Sequence, residues 1–555
     1  MKKSKVLLCV SLFSLLAGLL TSCFFIDKII EGIGGENGNN GGVTTPSLDD
    51  GATVNISVDS SLSSGENVLK PTDYELSLSM DDLINHGVYN ISYLPSLGDA
   101  KILVLPIDLS SLVPTTPYKP TSTITNNINK AFFADSSDSS LYYESVASFY
   151  KKSSYGKLNI SGDVASWYDV TKSGYKSLSQ IRSENDVIQI MNDAIQALHI
   201  DTSKYDGNND GIIDGVWMIY NYYDYATASQ MGINISDNYW AYTYWDQENK
   251  TPSVTKPVSN VFAWASYDFL LEGGASKIDA HTLIHETGHM LGLNDYYDYN
   301  DIGAPTGLVD MMDANIIDHN FYSKMILGWA KPYIVTGDVN IQLSTTNNEN
   351  NFVIVPYNNL PIRTTNGKKY FNPYDEYMLV EYYSPTGLNE KDSVNKYPGN
   401  NVQGFTKEGF RVYHIDARLW YLRYTNGIFS TNYYKNQVLT DNDYLVKATT
   451  NTGEGSQENE EAIYNGVRDL DSSIKFENNV YVSNYYNEIM LIDEANRYND
   501  INVPYKSKLT NKLAVADNNC LFNKGDAFTI NSYSSAFIKG MFSNKEEFDS
   551  NIIFK

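Results

Sequence analysis

Apolar residues run almost unbroken through Lys101-Ile102-Leu103-Val104-Leu105-Pro106-Ile107, a pattern that predicts a strand buried on both faces. Gly215-Val216-Trp217-Met218-Ile219-Tyr220 and Val261-Phe262-Ala263-Trp264-Ala265 predict two more. Between them the period lengthens. Leu141, Tyr142, Val146, Phe149 and Tyr150 recur at helical spacing within 139–152. Ser183 opens a second helix, with Asp186 as its capping-box partner, and Val187, Ile188, Met191, Ile195 and Leu198 share one face. Further helices are expected from about Ser276 to Leu291 and from about Asp318, a candidate N-cap, to Leu327. Beyond about 331 the texture changes. Short runs such as Phe352-Val353-Ile354-Val355 and Tyr377-Met378-Leu379-Val380 alternate with Asn, Asp and Gly turns, so 336–555 is expected to be a β-rich, sandwich-like domain.

The start of the chain has a different logic. Lys2, Lys3 and Lys5 precede 15 mostly apolar residues, Val6 to Leu20. That is too short for a membrane span, which needs about 20, and fits an export signal. Leu20-Thr21-Ser22-Cys23 resembles a bacterial lipobox, with Ser in place of the usual Gly or Ala before the cysteine. The expectation is a lipoprotein: signal peptide 1–22, acylated Cys23, and anchoring at the cell surface. A Gly/Asn-rich tether follows over 23–50, and 51–98 is an N-terminal region or prosegment.

Composition narrows the function. Lys and Arg total 41 against 66 Asp and Glu, a formal charge of −25, which disfavours nucleic acid because phosphate contacts need clustered cations. Three cysteines exclude a disulfide framework and a cysteine-rich metal site.

The chemistry concentrates at His285-Glu286-Thr287-Gly288-His289. Residues i and i+4 of a helix lie one above the other, so both imidazoles can meet one metal. Glu286 can then reach a water without ligating the ion, as a general base for hydrolysis. The pattern extends to Gly292, which can adopt positive φ and turn the chain back, and to Asp295 as third ligand, with Asp298 as its rival. His281 is one turn before His285. Yet it is about 12 Å along the axis from His289, too far to share a zinc whose bonds are about 2.1 Å, so it is expected near the ligands or facing solvent. His414 reads as structural. His319 is expected to begin the helix near 318, and a transition-state role for it or Tyr322 has no support in the sequence.

A second candidate is Asp206-Gly207-Asn208-Asn209-Asp210-Gly211-Ile212-Ile213-Asp214, whose oxygen ligands alternate as in the first part of an EF-hand loop. Asp206, Asn208, Asp210, the Ile212 carbonyl and Asp214 are the expected calcium ligands. Trp217 stands where a bidentate Glu is usual, so other groups must complete the shell.

Residues 285–298 resemble the immune inhibitor A family of secreted bacterial zinc metallopeptidases, with Asn294 where that family usually has Pro. Tyr155-Gly156-Lys157-Leu158, Val309-Asp310-Met311-Met312, Lys324 to Trp329 and Gly409-Phe410-Arg411-Val412-Tyr413-His414-Ile415-Asp416 agree with it. The resemblance covers roughly 100–420. It implies an α/β, metzincin-like catalytic domain over 99–335 ahead of the β-rich domain, and a Met-turn in which Met312 floors the metal. Zinc and structural calcium are the expected cofactors, and an extracellular protein or glycoprotein the expected substrate. The rival reading is a lipid-anchored adhesion or glycan-binding protein with a silent metal site; 44 tyrosines and the β-rich half suit it, an intact Glu286 does not.

Overall fold

The computed structural model describes residues 52–57, 67–77, 91–248, 250–274, 276–298, 303–343, 349–356, 362–417, 419–425, 428–433, 443–447, 487–500, 504–537 and 551–555. The export signal, Cys23 and the Gly/Asn-rich tether lie outside them. The chain is a mixed α/β protein with several sheets, divided into two compact units.

The first unit comprises residues 89–152 and 156–293 among those described. Its sheet is built on strands β1 (Gly98–Asp108), β2 (Leu158–Val164), β3 (Gly215–Tyr220), β4 (Tyr242–Trp245) and β5 (Val261–Ser266), in the order β2-β1-β3-β5-β4. The first four are mutually parallel and β4 runs antiparallel along the edge. Every residue of β3 and β5 is buried, which is why their sequences are apolar without alternation. Helices α1 (Ser122–Phe133), α2 (Val146–Ser153), α3 (Glu184–Ala197), α4 (Tyr225–Gln230) and α5 (His281–Met290) accompany it.

The capping box of α3 forms as its sequence predicts, Asp186 accepting from the Ser183 N–H at 3.1 Å. Two boundaries differ. Expected from 139, α2 starts only at Val146, because Ser145 acts as its cap: its hydroxyl accepts from Ser148 N–H at 3.1 Å and its carbonyl from Phe149. Expected from 276, α5 starts at His281, because Asp279 accepts from the His281 N–H at 3.1 Å and holds the approach in a turn. Helix α1 lacks a broad apolar stripe: only Ile128, Ala131 and Phe132 are buried.

The second unit holds residues 294–555 and shorter upstream pieces. After helices α6 (Met311–Ala314) and α7 (Phe321–Ile326), the elements are almost all strands. Helix α7 is capped by Asn320, which accepts from Ser323 N–H at 2.9 Å, and not by Asp318. Asp318 is instead buried in an ion pair with Lys324 at 2.5 Å, with Ser153 Oγ also at 2.5 Å. Strands β6 (Tyr333–Val335), β7 (Phe352–Pro356), β8 (Glu376–Tyr383), β9 (Gly409–Asp416) and β10 (Ile489–Leu491) follow one another in a six-stranded sheet begun by Val68–Leu69. A four-stranded sheet joins 339–343, 52–57, 551–554 and 527–528. Val353, Val355, Val380 and Val412 of the first sheet share one apolar core with Ile341, Phe528, Ile552 and Phe554 of the second.

Candidate metal centre

Helix α5 packs against β4 and β5. All ten of its residues are buried, an unusual state for a helix carrying three histidines and a glutamate. It lies close enough to β3 that a Cβ on Gly215 would come within 2.5 Å of the Met290 methyl. Trp217 on β3 donates its indole N–H to Thr287 Oγ1 at 3.2 Å, and Thr287 donates to the Leu283 carbonyl at 2.7 Å.

The helix ends as the glycine spacing predicts. Gly292 has φ +97°, a conformation costly for any residue with a Cβ. Leu293 N–H returns to the Gly288 carbonyl at 3.0 Å and Gly292 N–H to the His289 carbonyl at 2.8 Å. This is the paired bonding of a Schellman motif, and it reverses the chain directly after His289.

The reversal brings Asp295 to the histidines. The ligand atoms of His285, His289 and Asp295 lie within 4.8 Å of one another, and all three residues are buried. The two Nε2 atoms are 3.1 Å apart with their rings nearly perpendicular, at 84°. Two nitrogens on one tetrahedral zinc stand about 3.4 Å apart, given bonds of about 2.1 Å, so this spacing fits joint ligation. The His289 Nδ1–H donates to the Leu293 carbonyl at 2.8 Å, which leaves its Nε2 lone pair for a metal. Asp298, half-buried, is not in the group. Two imidazoles and a carboxylate form a donor set that could hold a metal ion, and one of a type that suits zinc.

Glu286 is fully buried outside that group. Thr243 Oγ1, on edge strand β4, lies 2.8 Å from its carbonyl oxygen and 3.1 Å from its Oε2. One hydroxyl proton can be shared between two acceptors, so Thr243 restrains both the backbone and the carboxylate of Glu286. No sequence signal marks Thr243, 43 positions away.

His281 is not solvent-facing. It is buried, 2.6 Å from Asp279 Oδ1 through Nδ1, and stacked on Tyr143 at 4.5 Å. His414 is buried against Glu376 at 3.1 Å, and His319 is buried beside Trp329 just ahead of α7. Met312 is fully buried in α6, where Asp310 caps the turn and Asn315 closes it at φ +56°. Its carbonyl accepts from the N–H of Tyr296, the neighbour of Asp295, at 2.7 Å. Tyr322, also fully buried, donates to Glu488 at 2.6 Å.

The acidic loop at 206–214 is closed largely by its own backbone. Asp206 accepts from the N–H groups of Asp210 and Gly211, and Asp210 from Ile212. Asp214, at the entrance to β3, accepts from Lys101 N–H at 2.7 Å and from Gly207. Burial, with Asp210 and Asp206 adding repulsion, pushes the Asp214 carboxyl up to about 7. Asn209 and Gly211 take positive φ, +60° and +85°. Trp217 is buried within β3.

No family model matches the chain, and no curated protein matches it. Among the described residues no helix is long and apolar enough to cross a membrane.

Proposed function

We propose that this chain is a zinc-dependent endopeptidase of the immune inhibitor A type, with a metzincin-like catalytic domain and a sandwich-like C-terminal domain, displayed at the cell surface as a lipoprotein. The observation that carries the reading is the convergence of buried His285, His289 and Asp295 around one point, with Glu286 buried beside them and left out of the ligand set. Zinc bound there supplies Lewis-acid polarisation of a carbonyl and of a water. Glu286 accepts the proton of the attacking water on a carboxylate oxygen and delivers it to the leaving amine. Thr243 keeps that carboxylate in place, and the Leu293 carbonyl keeps His289 in its ligating tautomer. Met312, tied to Tyr296, is assigned the hydrophobic floor of the site.

Cleavage of a proteome-derived peptide library tests the reading. Hydrolysis that a zinc chelator stops and zinc restores supports it. An uncleaved library at full zinc occupancy favours the adhesion or glycan-binding role.

The lipobox assigns Cys23 as the anchor. Cys23→Ala is expected to shift the protein from the membrane fraction to the soluble one with its peptidase activity intact. A variant that still partitions into detergent would refute lipid anchoring.

Asp206, Asn208, Asp210, the Ile212 carbonyl and Asp214 are assigned a structural calcium, because a buried carboxylate crowded by two others is relieved by a cation. Calcium is expected to raise the melting temperature, since an ion that binds only the folded chain stabilises it by mass action. Asp210→Ala should melt at the lower, calcium-free temperature whether or not calcium is added. A melting curve indifferent to calcium, with none found by elemental analysis, would leave the loop merely acidic.

A further inference from the structure

Asp295 differs from the two histidine ligands in how it is held. His285 and His289 sit on a helix whose backbone bonds fix them, whereas 293–296 belong to no helix or strand. Where a side chain on such a segment is presented depends on the bonds that fix the backbone on either side of it. On the C-terminal side, Tyr296 is held twice, by the Met312 carbonyl at 2.7 Å and, through its hydroxyl, by Ser323 at 2.8 Å. On the N-terminal side, Asn294 donates its Nδ2 to Glu488 Oε2 at 3.0 Å.

Glu488 is well suited to anchor this segment. It is buried, with 1% of its surface exposed. It directly precedes the edge strand β10, and its carbonyl accepts from Asp416 N–H at the end of β9 at 3.0 Å. Its other carboxylate oxygen accepts from the Tyr322 hydroxyl at 2.6 Å, so the two oxygens divide their work between α7 and the ligand segment. We propose that Glu488 is a positioning residue of the metal centre, fixing the Asn294–Asp295 segment so that the Asp295 carboxylate is presented to the metal. The inference rests on the zinc-site reading. It adds a residue from the β-rich part of the chain, 193 positions beyond Asp295, to the machinery that holds the ion.

The bond, not the charge, is what matters in this arrangement. Glu488→Met keeps the length and packing of the side chain and removes both acceptors. Glu488→Gln keeps one oxygen for Tyr322 and offers an N–H₂ group, to which Asn294 can turn its own oxygen by rotating its amide. Asn294→Ala cuts the same link from the less buried side, which guards against a Glu488→Met chain that does not fold.

The test is chelator-competition titration of zinc on the full chain, with melting of the metal-free proteins as control. Glu488→Met and Asn294→Ala are each expected to weaken zinc by about 10–100-fold, the range for partners that orient a ligand. The double variant should be no weaker than the worse single, because both variants break the same Asn294–Glu488 link. Glu488→Gln should stay close to wild type. Singles that bind zinc as wild type does, losses that multiply in the double variant, or a Glu488→Gln that falls as far as Glu488→Met would each overturn the inference. A wild type that holds zinc and cleaves nothing removes the peptidase reading and leaves this one standing; a wild type that takes up no zinc removes both.

Discussion

Glu286→Gln is expected to lower kcat/KM for peptide hydrolysis by about 10²–10⁴-fold while leaving zinc content and folding unchanged. That loss corresponds to about 3–5 kcal/mol of transition-state stabilisation. The three parts of the expectation have separate causes. Activity falls because an amide cannot take a proton from water at neutral pH. Zinc stays because Glu286 is outside the converging ligand group of His285, His289 and Asp295. The fold stays because Gln has the shape of Glu and still presents an oxygen to Thr243, whose hydroxyl is 3.1 Å from Oε2. Steady-state kinetics, elemental analysis and a melting curve on the same preparation check all three. Cleavage at the wild-type rate would remove Glu286 from the mechanism.

His289→Ala is the complementary case. It deletes one of two imidazoles whose Nε2 atoms stand 3.1 Å apart, and with it the Nδ1–H bond to the Leu293 carbonyl. Loss of a ligand should exceed the roughly 10–100-fold weakening caused by loss of an outer partner, so zinc and activity should disappear together. The metal-free fold should survive: alanine favours helix, and the lost neutral hydrogen bond contributes only about 1 kcal/mol. The variant should nonetheless melt below zinc-loaded wild type, because it forgoes the stability that the ion confers on the folded state. Set beside Glu286→Gln, it separates a missing metal from a missing base.

What the sequence reveals of this site is what lies within a few turns of the motif. The i, i+4 histidines, the positive φ at Gly292 and the reach of Asp295 are all local consequences of one helix and its end, and each is present in the structure. Thr243 and Glu488 escape sequence reading because they arrive by strand packing from 43 and 193 positions away from the residues they serve. The same division holds for the fold. Strands β1, β3 and β5 are legible because burial on both faces leaves unbroken apolar runs. Helix α1 is not, since only Ile128, Ala131 and Phe132 of it are buried and its threonines and asparagines are weak helix formers. Asp318 is a plausible cap by residue type, but a buried lysine four residues into α7 claims its carboxylate and leaves the capping to Asn320.

The proposed peptidase depends on a zinc ion held by three side chains of one short stretch, His285, His289 and Asp295. The decisive measurement is the metal content of wild type, Glu286→Gln, His289→Ala and Asp295→Ala, purified alike and equilibrated with limiting zinc. One tightly held zinc per chain is expected in wild type and Glu286→Gln, and little or none in the two ligand variants. Zinc retained equally by all four proteins, or absent from wild type, would rule out ligation by these residues.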